Sequence, residues 1–160
     1  MIDSQDMQGY LTLVRTDRSG QVIERQQVKN RIVSSGRNLV AEMFSGQFVG
    51  PPPSPVTHMA VGTGATAPAD GDTGLQAQRG SRKAITGSQM TQFSDAGVNR
   101  VRVSLQTVFD FNEANDPAIP LTEAGIFTAA TGGVMYNRVV FEPVTKTDAF
   151  KLTLLWDVIF

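Results

Sequence analysis

Two stretches of the chain alternate apolar and polar residues for so long that they commit it to β-structure. From Arg100 to Phe111 one phase holds Val101, Val103, Leu105, Thr107, Phe109 and Phe111, and the other Arg100, Arg102, Ser104, Gln106, Val108 and Asp110. Near the C-terminus, Phe150, Leu152, Leu154, Trp156, Val158 and Phe160 share one phase, and Lys151, Thr153, Leu155, Asp157 and Ile159 the other. Successive side chains of a strand point to opposite faces, so this period sets one face on a core and the other on solvent or a partner. At ~3.3 Å per residue each strand runs about 35–40 Å, well beyond the usual five or six residues.

The rest of the chain supplies partners for these strands. Tyr10–Arg15 and Val22–Glu24, joined by Asp17-Arg18-Ser19-Gly20, predict a hairpin over residues 9–28. A second hairpin is expected where Thr122–Phe127 and Val134–Phe141 flank Thr131-Gly132-Gly133. Val56–Val61 predicts a short strand followed by an exposed loop over Gly62–Pro68, and Arg82–Thr86 a short strand inside a polar, loop-like region spanning 69–97. One helix is expected: Ser34 and Ser35 are N-cap candidates, Leu39, Val40, Met43 and Phe44 form an apolar stripe, and Gly46 stops it. So short a helix needs a sheet to lie on. Gly50-Pro51-Pro52-Pro53-Ser54-Pro55 keeps the next segment extended and stiff. The expected fold is mostly β, an antiparallel β-sandwich with one short helix packed on it. Residues 1–8 are expected to form a flexible arm and 9–160 a single domain.

Composition narrows the function. The 160 residues contain no cysteine, which removes disulfide scaffolds, cysteine-ligated metals and cysteine nucleophiles. Fourteen basic and fifteen acidic residues leave a net charge of −1, without the basic excess that direct nucleic-acid binding calls for. The longest apolar run, Leu154-Leu155-Trp156, stops at Asp157, far short of the ~20 residues of a membrane span. Met1–Asp6 is polar and acidic, unlike a signal peptide, so synthesis in a cytoplasm is expected.

Candidates for chemistry are few. His58 is the sole histidine, on a strand face with Val56 and Ala60 and without an acidic neighbour in sequence; it is expected to be a half-buried strand residue. Gly62-Thr63-Gly64 lacks the Gly-Lys-Ser/Thr of a phosphate loop and is expected to be a turn. Asp110, Asn112, Glu113, Asn115 and Asp116 gather oxygen atoms that invite calcium, but without EF-hand spacing or its glycine, so turn chemistry is the expectation. Arg79, Arg82 and Lys83 form a small basic patch, expected on a solvated loop. Glu123 lies between Leu121 and Ala124-Gly125, either as a partly buried carboxylate or as a hydrogen-bonded edge residue. The expectation is no catalysis, no metal and no cofactor.

Two stretches resemble a recurrent phage pattern. Thr57-His58-Met59-Ala60-Val61-Gly62-Thr63-Gly64, continuing through Ala65-Thr66-Ala67-Pro68 to Asp72-Thr73-Gly74-Leu75, resembles the segment that opens tail-collar fibre domains and related small virion proteins. Leu121-Thr122-Glu123-Ala124-Gly125-Ile126-Phe127 is similar to the Arg-Glu-Ala-Gly-Leu-Phe strand of the same proteins. Asn30–Leu39 has a counterpart upstream of these segments. The resemblance covers roughly residues 28–160. It implies a virion structural protein of a tailed bacteriophage, non-enzymatic, homo-oligomeric as a trimer or hexamer, and in contact with other virion proteins. Because Phe160 lies on the last core strand with no shaft or tip after it, a compact tail, collar, baseplate or capsid-surface (decoration) subunit is expected rather than a fibre.

Such a subunit acts through surfaces. Val108, Leu155 and Ile159 are apolar residues on the faces opposite the core, and with Pro51, Pro52, Pro53 and the arm they are the candidate interface. The rival is a carbohydrate- or receptor-binding module, which calls for aromatic residues clustered on loops; Phe48 and Phe93 are the loop-like aromatics here.

Overall fold

The computed structural model describes residues 7–160, and the first six positions of the expected arm lie outside the described residues. Gln8, also placed in the arm from sequence, instead opens the first strand. The elements are β1 (Gln8–Asp17), β2 (Val22–Lys29), β3 (Arg31–Ile32), α1 (Ser34–Ser45), β4 (His58–Gly62), β5 (Lys83–Ala84), β6 (Gly87–Asp95), β7 (Val98–Phe109), β8 (Leu121–Phe127), β9 (Met135–Val144) and β10 (Phe150–Ile159). They form two antiparallel five-stranded sheets, β2-β1-β10-β7-β6 (sheet A) and β3-β9-β8-β4-β5 (sheet B). The protein is a β-sandwich with one helix, as the alternation of β7 and β10 requires.

The two long strands are neighbours in the middle of sheet A, with Leu154 opposite Thr107 and Trp156 opposite Leu105. The apolar phase of β10 is buried from Phe150 to Val158, and it meets Met59, Val61, Ala124, Ile126 and Phe141 of sheet B in one core. Phe160 leaves this core and is 43% exposed. Both expected hairpins form. At the β1–β2 turn the Asp17 carboxylate accepts hydrogen bonds from the Ser19 and Gln21 N–H groups, and Gly20 adopts a φ of 85°.

Two expectations are corrected. The first concerns α1, whose N-cap is Val33 with no side-chain cap. Ser34 and Ser35 lie in the first turn, where the Ser35 hydroxyl donates to the Met135 carbonyl. Gly46 does end the helix in the left-handed region, its N–H donating to Glu42 O. Within the expected stripe Leu39 is buried and Val40 half-buried, but Met43 is 50% and Phe44 94% exposed, because the helix rests on β9 by its N-terminal half. Gly36 makes this approach possible: a Cβ there would lie against the Tyr136 carbonyl.

The second concerns residues 69–97, which contain strand as well as loop. After the two-residue β5 comes β6, nine residues long and paired along its length with β7. Ala96 and Gly97, both at positive φ, make a two-residue hairpin turn. Phe93, expected on a loop, lies on β6 beneath the Arg102 guanidinium, 4.7 Å from its ring centre. Seven of the nine β6 residues are exposed, so neither face is covered and no apolar alternation marks the strand.

Candidate functional site

The most constrained place in the molecule is Glu123. β8 runs between β9 and β4, so Glu123 is on an interior strand rather than an edge, and it is fully buried. A buried carboxylate is tolerated when its lone pairs are matched. Here Oε1 accepts the N–H groups of Gly64 at 3.0 Å and Ala77 at 2.8 Å, and Oε2 accepts that of Gln76 at 3.1 Å and Nε of Arg138 at 2.9 Å. Arg138, on β9 and also fully buried, continues to Asp72 at 3.0 Å. These bonds tie the segment from Thr63 to Arg82 across the outer face of sheet B, where Leu75 packs on Ala60, Val33, Phe127 and Met135. The far end of this strap is held by Arg82, which stacks on Phe127 at 3.6 Å and donates to the carbonyls of Ala129 and Gly132.

Residues of the segments 57–75 and 121–127 converge on this clasp. A Cβ on Gly62 would lie 2.4 Å from the Ala77 carbonyl and 2.6 Å from Glu123 Oε1; on Gly64 it would lie 2.6 Å from Gln76 Cβ. On Gly125 it would press on Asn137 O and Leu75 Cδ2, each at 3.1 Å. The two glycines of the first stretch and the Glu-Ala-Gly of the second are therefore two halves of one internal joint. Gly62 and Gly64 are buried, which corrects the expectation of an exposed loop beginning at Gly62; exposure starts at Ala65.

The oxygen-rich segment 110–116 already surrounds a cation, the chain's own Lys146. This fully buried ammonium donates at 2.9 Å to Asp110 O, Asn115 Oδ1 and Thr147 O, with Phe111 O at 3.4 Å. Burial lowers its pKa, while Asp110, Glu113 and Asp148 oppose the shift. The carboxylates around it serve the loop: the Lys83 ammonium, followed by the Asp110 N–H, holds Glu113 below its ordinary range, and the N–H groups of Ala118 and Ile119 do the same for Asp116. Among the described residues no three His, Cys, Asp or Glu side chains are grouped to hold a metal.

His58 is half-buried, as expected, with Nδ1 2.8 Å from the Thr57 hydroxyl. The basic patch is engaged rather than solvated: Arg79 pairs with Asp116, Lys83 with Glu113, and Arg82 binds as described. Arg138 and Lys146 were not singled out from sequence. The signal for Arg138 was present, a lone cation inside Met135–Phe141 on the hairpin partner of the strand that carries Glu123.

Of the interface candidates, Val108, Leu155 and Ile159 do share the outer face of sheet A, all half-buried. Val108 faces Thr153, and Leu155 faces Gln106 on one side and Thr12 on the other. Around Leu155 stand Arg25, Ser104, Gln106 and Asp157, which line with it a shallow hollow of about 520 Å³. Among the described residues no other element covers this face, which is mixed in polarity. Pro51 and Pro52 are exposed and Pro53 half-buried. They precede Pro55 and Val56, which with Leu39, Val40, Met43, Val103 and Phe160 line a separate apolar groove of about 290 Å³ beside the helix. Val108, Leu155 and Ile159 thus share one face, and Pro51, Pro52 and Pro53 lie apart from it.

Compared with known proteins, the chain matches no family model, no curated protein and no solved structure at significance.

Proposed function

We propose that the chain is a non-enzymatic structural subunit of a tailed-phage particle, tail-, collar- or baseplate-associated, acting through contacts with other virion proteins and with copies of itself. Made in the host cytoplasm, it would take its place in the virion by assembly. The phage assignment rests on the resemblance of residues 57–75 and 121–127. The observation that carries the structural role is that these residues meet in the Glu123 clasp. In this chain the resemblance thus falls on residues that seal sheet B, and the outer face of sheet A is left for contact. Interfaces of this mixed polarity are ordinary for protein–protein contact.

Labelling purified particles with an antibody to the chain tests the reading. Density at the tail, collar or baseplate is the expected result; label on the head would move the role to capsid decoration, and its absence from particles would overturn the proposal. Leu155→Asp, which changes the outer face without touching the core, is expected to keep the fold and lose incorporation.

A further inference from the structure

The described residues form sheets with four edges, and three of these are protected. β3 and β5 are two residues long. β2 carries Glu24, Arg25 and Lys29, pairs with β1 through a register shift at Arg15/Thr16, and is tied to sheet B by Gln26, which donates to the Glu142 carbonyl at 3.1 Å. Short length, charge, bulges and a covering contact are the usual means of keeping an edge from pairing with another chain. β6 has none of them. It is nine residues long and in unbroken register with β7, contains no proline and no lysine, and carries a single charge, Asp95, at its end. That charge is already answered by Arg100 at 3.6 Å. Beside the free edge Met90 is 73% exposed, opposite Val103, whose side chain lines the apolar groove next to the helix.

We propose that β6 is a pairing edge and that its occupant is β6 of a second copy of this chain, antiparallel about a two-fold axis at Thr91, so that two five-stranded sheets become one. The choice of a second copy follows from the sequence of the strand. Reversing Gly87-Ser88-Gln89-Met90-Thr91-Gln92-Phe93-Ser94-Asp95 on itself sets Asp95 against the partner's Gly87, Phe93 against the partner's Gln89, and Met90 against the partner's Gln92. No like charges meet. The two Thr91 side chains face each other, and the two Met90 side chains lie diagonally across the axis on the groove side, within reach of one another. A strand neutral from Gly87 to Ser94 offers no charge pattern by which to select an acidic or basic partner. Such a contact is isologous and closes at two copies unless another surface extends it. It is compatible with a hexamer built of dimers and incompatible with a bare trimer. The contact deepens the structural role by naming a partner, and it is tested in solution, apart from any particle.

The test is sedimentation velocity on the full chain, on Met90→Lys, and on a Thr91→Cys variant, whose thiol would be the chain's only one. The expected outcome is an assembly of an even number of 17.3 kDa chains. Met90→Lys is expected to halve its mass without changing the thermal melt, and Thr91→Cys to cross-link quantitatively under mild oxidation, whereas Gln27→Cys on β2 does not. A monomeric wild-type chain, a trimer, or an oligomer that Met90→Lys leaves intact and Thr91→Cys fails to cross-link would each overturn the proposal. Particle labelling that succeeds while this fails would leave the structural role standing without the edge contact, and the reverse holds as well.

Discussion

Sheet B and sheet A have the same number of strands but differ in what covers their outer faces. On sheet B the strap from Thr63 to Arg82 lies across the face, held by a fully buried Glu123–Arg138 pair and by glycines that leave room for its backbone. On sheet A the corresponding face presents Thr12, Gln106, Leu155 and Asp157 to solvent. The difference teaches where ionised groups are placed. Beneath the strap the Glu123 carboxylate is matched by four donors and Arg138 binds two carboxylates, so removing one member leaves the others stranded. On the outer face of sheet A the polar groups lie at the surface, and changes there are expected to alter stability little.

Glu123→Gln is the strongest attack on this contrast. It removes the charge that answers buried Arg138 and weakens three backbone bonds, and is expected to cost about 3–5 kcal/mol, read from the urea midpoint. A loss no larger than that of a surface change would remove the distinction between the sheets. Gly125→Ala comes next: the added methyl meets Leu75 and the Asn137 carbonyl, and overpacking is expected to cost about 1–3 kcal/mol in the same assay. Lys146→Met leaves carbonyls of Asp110 and Thr147 without their donor, a comparable loss of about 1–3 kcal/mol. Hydrogen exchange should show it as selective opening of residues 110–119 while the strap stays protected.

Acid should produce a smaller effect in the same loop. Asp110, Glu113 and Asp116 have folded pKa values below their ordinary ones, Asp110 chiefly through the Phe111 N–H. Near pH 4, about the unfolded value, the unfolded chain binds more protons than the folded one. Their contribution is therefore complete above that pH and is lost as pH falls through the lower folded values. Because Asp110 is exposed and Glu113 and Asp116 partly so, the loss should be modest and reduced further by salt, visible as a fall in urea midpoint between pH 5 and pH 3 (about the range spanned by carboxylates). Leu155→Asp closes the series, within about 0.5 kcal/mol of wild type in stability.

How much of this was legible in sequence depended on whether a strand buries one face. β7 and β10 do, so their alternation predicts the phase of Val108, Leu155 and Ile159, although β7 begins at Val98 and ends at Phe109 rather than running from Arg100 to Phe111. β6 buries neither face, and a polar strand without a core side carries no period to detect; Gly97 was its one local signal. The helix stripe overstated burial because periodicity records a continuous apolar face, whereas the sheet beneath α1 supports only part of it. Glu123 drew notice through its apolar neighbours, but its true environment depends on Gly64, Gln76 and Ala77, remote in sequence and brought together by folding alone. The oxygen cluster at 110–116 is the turn its composition predicts, with Asp116 and Glu113 accepting backbone N–H groups, but it also holds a cation that the spacing does not predict. Its cation lies thirty-odd residues later in the chain, on Lys146, where spacing rules do not look.

The position of β10 between β1 and β7 sets an order on folding. The β1–β2, β6–β7 and β8–β9 hairpins need only local segments, so each can form as soon as its own residues are available. Sheet A cannot close until Phe150–Ile159 arrives, because that strand zips the two hairpins together. Until then β1 and β7 each expose an unpaired flank, and pairing so distant in sequence is slow. Half-built chains would then be at risk of pairing with one another through those flanks. Synthesis of this protein should accordingly profit from chaperones that hold open strands apart until the last one is in place.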